Sequence, residues 1–342
     1  MAEHLGRLRG RVFAVRSSGL TEDGVAASFA GQLETVLGAR GLDEVLTALR
    51  RCAASPRTDR ARGYREHLDL ADEPSAPVLV QEFVEAGHAG VLFTRDPRTG
   101  ADAVVINASW GLGESVVSGA VVPDEIIVTG PAHPARIAVG AKQTRLDLGE
   151  HGLARAPVAA QDRARCCVAP DEVSRLVALG RRCADIFGGA QDVEWAVRDN
   201  RIWLLQARPI TALGASAASG RAGSAPPLVT GVPSSPGRAR GPARLVRSSD
   251  DFPRLRRGDI LVCRTTDPAW TPLFRLAGAV VTETGGVLSH AAIVAREFGI
   301  PAVVGADKAM SALTDGAPVT VDGTVGTVDV NANVTGTEAG GR

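Results

Sequence analysis

The sequence has 342 residues, with 38 Lys and Arg against 38 Asp and Glu and a formal net charge of zero at pH 7. That balance excludes nucleic-acid or membrane-surface binding driven by bulk charge. The length suits two domains, each with its own core. The five cysteines are odd in number and lack the spacing of a zinc site or a disulfide framework. No run approaches the roughly 20 apolar residues of a membrane span, and the N-terminus lacks the apolar core of a signal peptide. The expectation is a soluble protein of the reducing cytoplasm.

In chain order, residues 11–16 form a short strand with Val12, Phe13 and Val15, running into a polar turn at 16–24 and small residues at 27–32. Leu42, Val45, Leu46 and Leu49 recur at helical spacing and predict an amphipathic helix. Residues 78–84, 90–94 and 104–107 are three short strands alternating with turns, the pattern of an antiparallel sheet. A glycine-rich turn follows at 110–120, then a hairpin of 125–128 with 136–139. Residues 170–187 predict a helix, with Pro170 suited to its first turn and Asp171 and Glu172 complementing its N-terminus. Val173, Leu176, Val177 and Cys183 form most of its buried stripe. Residues 191–197 and 201–207 read as a hairpin about Asp199 and Asn200.

Residues 211–227 are rich in Ala, Gly, Ser and Pro, which marks a linker. As a flexible coil it would span about 20–25 Å, enough for one domain to move against the other, although a plain tether has the same composition. The expected organisation is a first domain at 11–211, a linker at 212–227, a second domain at 228–330 and a tail at 331–342. The second domain opens on a glycine- and proline-rich stretch at 232–241, followed by a strand at 259–264, a turn at 266–272, a short helix at 273–277 and a closing hairpin at 319–328.

Between these lies the stretch 279–305: an apolar run, a Gly-Gly turn, Ser289-His290, a helical segment and a second apolar run, which is the pattern of a β-α-β unit. His290 falls at the first turn of the helix, with Ser289 as its N-cap. Unpaired backbone N–H groups and the helix dipole make such a terminus a ready phosphate site. Gly285 and Gly286 carry no Cβ and leave room for a phosphate donor or acceptor. A histidine in this position is also an ordinary cap or surface residue.

The first domain contributes scattered candidates. Arg16, beside Ser17 and Ser18, offers a rigid fork for phosphate oxygens, or equally a surface ion pair. Glu194 and Gln206 lie on facing arms of a hairpin; their oxygens are hard ligands suited to Mg²⁺ held partly by nucleotide phosphate, or else they belong to a solvated strand face. Arg208 lies two residues on, on the same side of the strand as Gln206. Gly111 and Gly113 serve a tight turn or a phosphate cradle.

The string Thr284-Gly285-Gly286-Val287-Leu288-Ser289-His290-Ala291-Ala292-Ile293-Val294-Ala295-Arg296-Glu297-Phe298-Gly299-Ile300-Pro301 closely resembles the phosphohistidine signature of the PEP-utilising enzymes. That family includes PEP synthase, pyruvate phosphate dikinase and the rifamycin phosphotransferases. Residues 16–23 and Ser28-Phe29-Ala30-Gly31-Gln32 resemble its ATP-grasp domain, as do Val80-Gln81-Glu82-Phe83-Val84, residues 90–97, residues 107–119, Asp192-Val193-Glu194-Trp195 and Leu205-Gln206-Ala207-Arg208-Pro209-Ile210. The resemblance implies an α/β (α+β) fold, a partial ATP-grasp domain followed by a swivelling β/β/α phosphohistidine domain. It implies ATP and Mg²⁺ as cofactors and a phosphoryl group carried on His290, within a site that includes Thr284, Gly285, Gly286 and Ser289. Arg16 and Arg208 would contact the ATP phosphates, Glu194 and Gln206 would hold magnesium, and Gln81, Glu82 and Val84 would line the adenine site. Ser28, Gly31 and Gln32 would belong to a loop over the phosphates.

Two departures from the family pattern qualify that expectation. No segment ahead of Arg16 resembles the further lobe that supplies the family's phosphate-binding lysine, and nothing resembles an acceptor domain. The expected function is therefore an ATP-dependent phosphotransferase that labels His290 and passes the group to an acceptor, with a partner subunit supplying the missing lobe, the acceptor domain or both. Neither a nucleic-acid nor a membrane partner is expected. The alternatives are a non-catalytic phospho-acceptor or partner-binding module, and a rifamycin-type antibiotic phosphotransferase, towards which the string at 266–274 leans.

Overall fold

The computed structural model describes residues 11–18, 33–58, 61–62, 65, 76–130, 134–150, 152–210, 227–287 and 289–330. Ser28, Gly31, Gln32, most of the expected linker and the expected tail lie outside the described residues. The fold is mixed α/β. Strands β1 (Val12–Ser17), β2 (Thr35–Arg40) and β3 (Val78–Glu82) form an antiparallel sheet in the order β2-β1-β3. Successive side chains of a strand point to opposite faces. Phe13 and Val15 therefore enter a core with Val45, Ala48 and Cys52 of the helix Gly41–Ala54, while Ala14 and Arg16 face a cleft on the other side. Leu42, expected in the buried stripe of this helix, is 43% exposed; the smaller Ala48 and Cys52 take its place against the sheet.

Strands β4 (His88–Phe93), β5 (Val104–Trp110), β6 (Asp124–Val128) and β7 (Arg136–Ala138) continue the chain, with a separate hairpin of β8 (Thr144–Gly149) and β9 (Gly152–Pro157). Adding β10 (Gln191–Arg198) and β11 (Arg201–Pro209) gives a six-stranded antiparallel sheet in the order β11-β10-β4-β5-β6-β7. The antiparallel reading of the strands thus holds, but 78–82 pairs in the first sheet and not beside 88–93. Strand β2 and the β8-β9 hairpin had no sequence expectation, because their residues alternate weakly between apolar and polar. Asp199 and Asn200 turn β10 into β11 with φ of 51° and 60°, the left-handed pair of a two-residue hairpin.

One face of this sheet is sealed by the helix Pro170–Phe187, whose Val173 and Leu176 pack on Leu92, Ile106 and Trp195. Glu172 accepts from the Ala169 backbone N–H at 2.9 Å, closing the helix start. The fully buried Lys142 ammonium pairs with Asp124 and donates to Gly140 O at 3.0 Å. Asp124 also accepts from Gly140 N at 2.9 Å and Cys167 N at 2.8 Å, fixing the start of β6 and the neighbouring Pro123.

The C-terminal part is an eight-stranded sheet of β12 (Val229–Thr230), β13 (Val232–Ser235), β14 (Arg238–Leu245), β15 (Ile260–Cys263), β16 (Ala279–Thr282), β17 (Ala302–Val304), β18 (Pro318–Asp322) and β19 (Thr327–Val330). Its order is β12-β19-β18-β14-β15-β16-β17-β13, and β14 to β17 run parallel. The stretch 232–241, read as an irregular opening, is two strands: Pro233 and Pro242 sit where an edge or an end of pairing tolerates a missing N–H. As expected, β16, the helix His290–Glu297 and β17 make a β-α-β unit. Ala291, Ala292, Val294 and Ala295 of that helix pack on Val280, Ala302 and Val304, beside Leu273 and Phe274.

Candidate active site

The second face of the six-stranded sheet builds the site. Along β10, Asp192, Glu194 and Ala196 alternate away from the buried Val193, Trp195 and Val197. Glu194 stands directly opposite Gln206 on β11, and Asp192 opposite Arg208. A bulge between the Glu194–Gln206 and Trp195–Leu204 pairs leaves Leu205 without a partner residue. Such a bulge re-aims the strand, and the consecutive Leu205 and Gln206 both reach the same cleft, which strict alternation forbids.

That cleft encloses about 450 Å³. Arg16, Gln81, Glu82, Val84, Glu194, Gln206, Arg208 and His290 all line it. Leu37, Phe83, Val84, Ala86, Leu112 and Leu205 give it an apolar wall. An apolar wall beside two guanidiniums, hard oxygen donors and an imidazole suits a ligand with a flat ring and a polyanionic tail. Glu82 also pairs with Arg11 at 3.4 Å across an exposed edge.

Glu194 and Gln206 are cross-strand neighbours, whose Cβ atoms lie about 5 Å apart in such pairs. Their oxygens can therefore converge on one ion. Among the described residues no group of three or more His, Cys, Asp or Glu forms a metal site. Two protein oxygens completed by phosphate oxygens is the set that Mg²⁺ accepts, and the pair fits it. Asp192 is tied to Arg208, whose Nε donates to Oδ2 at 2.8 Å; its Oδ1 is buried without a hydrogen bond. The Asn107 amide and the Ser109 hydroxyl are likewise buried without hydrogen bonds.

Glu114 lines the cleft as well, at the start of the short helix Glu114–Val117. The sequence reading had only a glycine-rich turn here, although Glu114 lies within the 107–119 string that resembles the family. The residue is exposed to the open cleft, and the cleft walls around it take away part of its hydration. That enclosure, and next the charge of Glu194, push its pKa up to about 7. Of the two glycines before it, Gly113 lines the cleft, while Gly111, at φ 78°, is in a tight approach to Leu146.

His290 is 4% exposed and lines the cleft. Its Nδ1 lies 2.8 Å from Thr266 Oγ1 and its Nε2 3.4 Å from Thr271 Oγ1, with Phe274 edge-on to the ring. The two threonines belong to the 266–272 string, read from sequence as a turn and as a lean towards the rifamycin-type branch, but not as neighbours of His290; their distance from it along the chain hid the contact. Ser289 has the extended backbone of an N-cap, but its hydroxyl donates to Gly286 O at 2.9 Å and caps nothing. The expected side-chain cap is therefore absent, because the Ser289 side chain turns back into the Gly285-Gly286 turn.

Thr284, Gly285, Gly286 and Ser289 line the contact between the two parts of the chain, not the cleft. Thr284 Oγ1 donates to Gly119 O at 2.7 Å, and Thr265 Oγ1 donates to the same oxygen at 3.3 Å. A Cβ on Gly286 would stand 2.8 Å from Asn107 Oδ1 and 2.9 Å from Pro123 Cγ. Gly285 needs its glycine for a φ of 109°. Val287 joins Val91, Phe93 and Val105 of the six-stranded sheet in one apolar cluster. The space at Gly286 is thus filled by Asn107 and Pro123 across the contact, and that at Gly285 by Ser289 of its own unit.

A two-lobed cleft closed by a histidine-bearing β-α-β unit has counterparts among known proteins. Residues 1–224 match the family described as pyruvate phosphate dikinase, AMP/ATP-binding domain, and residues 255–326 match the PEP-utilising enzyme, mobile domain. The chain belongs to the family of PEP-utilising enzymes. It is 40% identical over 317 residues to the probable phosphoenolpyruvate synthase of Methanothermobacter thermautotrophicus, covering 92% of this chain and 46% of that protein. It is 38% identical over 330 residues to the phosphoenolpyruvate synthase of Pyrococcus furiosus, with 92% and 40% covered. With that of Deinococcus radiodurans the identity is 40% over 330 residues, with 90% and 42% covered. The chain thus spans less than half the length of these relatives. Among the described residues no helix is long and apolar enough to cross a membrane.

Proposed function

We propose that this chain takes a phosphoryl group from ATP onto His290. The observation that carries the reading is that His290 lines the same cleft as Arg16, Glu194, Gln206 and Arg208, residues far apart in sequence. Membership of a family with an AMP/ATP-binding domain supports ATP as the ligand. In this reading Gln81, Glu82 and Val84 border the adenine on the apolar wall, and Arg16 and Arg208 hold the phosphates. Glu194 and Gln206 would hold Mg²⁺, which when bound would offset the charge developing on the transferred group. The assignment of Ser28, Gly31 and Gln32 to a phosphate loop falls outside the described residues.

The chemistry asks for a lone pair on one imidazole nitrogen and a proton on the other. Thr266, 2.8 Å from Nδ1, can accept a hydrogen bond from Nδ1–H and so favour the tautomer that carries the lone pair on Nε2. One N–P bond then forms at His290. AMP and inorganic phosphate leave, with water supplying the oxygen for the released phosphate. Phe274 and the closed surroundings of the ring exclude bulk water from the new bond. For the onward step we place the acceptor, a precursor of phosphoenolpyruvate on the analogy of the relatives' names, on a partner chain. A cytoplasmic location goes with ATP as donor.

The test is incubation with Mg²⁺ and ATP labelled in its β- and γ-phosphates, followed by alkaline gel electrophoresis. Acid-labile label should appear on the wild-type chain and vanish in His290→Ala. Label that persists in His290→Ala, or is absent from both, would refute the reading.

A further inference from the structure

Arg296 lies on the same helix as His290, at its opposite end. Its Nη1 donates to Ser234 O at 2.8 Å and Val287 O at 2.9 Å. Val287 packs in the apolar cluster with Phe93, and Phe93 is the register partner of Asp192. These contacts carry the guanidinium to the face of the six-stranded sheet. There Glu297 of its own helix attracts it most, Asp192 next, Arg98 opposes it and Asp96 adds a smaller attraction. Asp96 is already bound by Arg98 at 3.0 Å. Asp192 spends Oδ2 on Arg208 and keeps Oδ1 without a hydrogen bond. Enclosure outweighs the attractive charges around Arg296, and its pKa falls to about 10.

We infer that Arg296 is a positioning residue that couples phosphate binding at Arg208 to seating of the His290 unit, with Asp192 as the shared carboxylate. This rests on the proposed reading of the cleft as an ATP site. The argument is electrostatic. Without a nucleotide, Arg208 largely neutralises Asp192, and seating Arg296 against that face desolvates a cation that finds little net negative charge. Phosphates on Arg208 reverse the balance, and Arg296 then meets a negative surface. Coupling between two sites is reciprocal, so the seated Arg296 tightens the hold on a polyphosphate. Loss of the polyphosphate's charge favours release of the His290 unit. Arg296 touches neither the nucleotide nor the His290 ring in this scheme.

Calorimetry on the full chain with Mg²⁺ tests it, using the β,γ-imido analogue of ATP as polyphosphate probe and adenosine as the phosphate-free control. Arg296→Gln should weaken the imido analogue by about 5–20-fold, within the usual range of coupling between sites, and leave adenosine unchanged. Arg296→Lys should recover part of the loss. In a double-mutant cycle with Asp192→Asn the two losses should be less than additive. Wild-type affinity for the imido analogue in Arg296→Gln, or equal weakening of adenosine, would overturn the coupling while leaving the ATP site standing. A wild-type chain that binds neither probe would overturn the site reading and this inference with it. If Arg296→Gln does not fold, Asp192→Asn carries the same two-probe comparison.

Discussion

Gly286→Ala separates folding from seating of the His290 unit. The φ of Gly286 is not among the positive values, so an alanine there strains nothing locally. The three nearest atoms to an added Cβ are Asn107 Oδ1 at 2.8 Å and Pro123 Cγ and Cδ at 2.9 and 3.2 Å, all on the opposing sheet. Neither neighbour can give way easily. Asn107 is 1% exposed, and Pro123 precedes the Asp124 carboxylate that Lys142, Gly140 and Cys167 hold. Overpacking of this kind costs about 1–3 kcal/mol. Here the cost falls only on the seated arrangement, so the population of that arrangement drops by roughly 5–150-fold. The rate of His290 labelling from ATP, measured by rapid quench, should fall by that factor, with the thermal midpoint within about 1 °C of wild type because the strain is absent when the parts separate. Labelling at the wild-type rate would refute the view that this contact is the transfer-competent one. A large drop in thermal midpoint would refute the claim that the cost is confined to it.

Thr266→Val removes the hydroxyl 2.8 Å from Nδ1 and should slow labelling by roughly 10–100-fold, the scale of about 1.4–2.8 kcal/mol for a lost hydrogen bond that orients a reacting group; Thr266→Ser should restore most of it in the same quench assay. Lys142→Met leaves the fully buried Asp124 charge without its cation and should destabilise the protein by about 3–5 kcal/mol, read as a fall in the urea midpoint at unchanged slope. The folded pKa of Glu114, pushed up from 4.5 to about 7, lies above its unfolded value. The native state therefore binds more protons between these pH values, and stability drains away as pH rises through that window, levelling above about 7. The thermal midpoint of the wild type should fall across it relative to Glu114→Gln, and parallel curves would contradict the assigned enclosure.

Local pattern alone carried much of the architecture. The helix Pro170–Phe187 was legible to the residue because its start, its stripe and the Gly188 that ends it at φ 73° are all local signals. The β10-β11 hairpin and the β-α-β unit around His290 were legible for the same reason. The hairpin put Glu194 and Gln206 on facing arms in advance; the register of its two-residue turn would pair Glu194 with Leu205, and the bulge after Glu194 is what brings Gln206 opposite it. The family strings added Arg16, Gln81, Glu82, Val84 and Arg208, and all of them border the cleft.

Tertiary structure alone decided the rest, wherever a contact joins segments that no period or turn connects. Thr266 and Thr271 reach His290 from the preceding loop; Glu114 enters the cleft through the packing of a one-turn helix. Gly285 and Gly286 were read as room for a phosphate donor or acceptor, and at Gly286 the structure puts protein there instead. A missing Cβ marks close approach without naming the approaching group, and here that group is the Asn107–Pro123 surface. The amino-acid sequence by itself determined most of the elements, the hairpin and the candidate phosphate chemistry, since those are set by neighbours within a few residues. Which face of the His290 unit meets the opposing sheet, and which charges meet across it, was set by long-range packing.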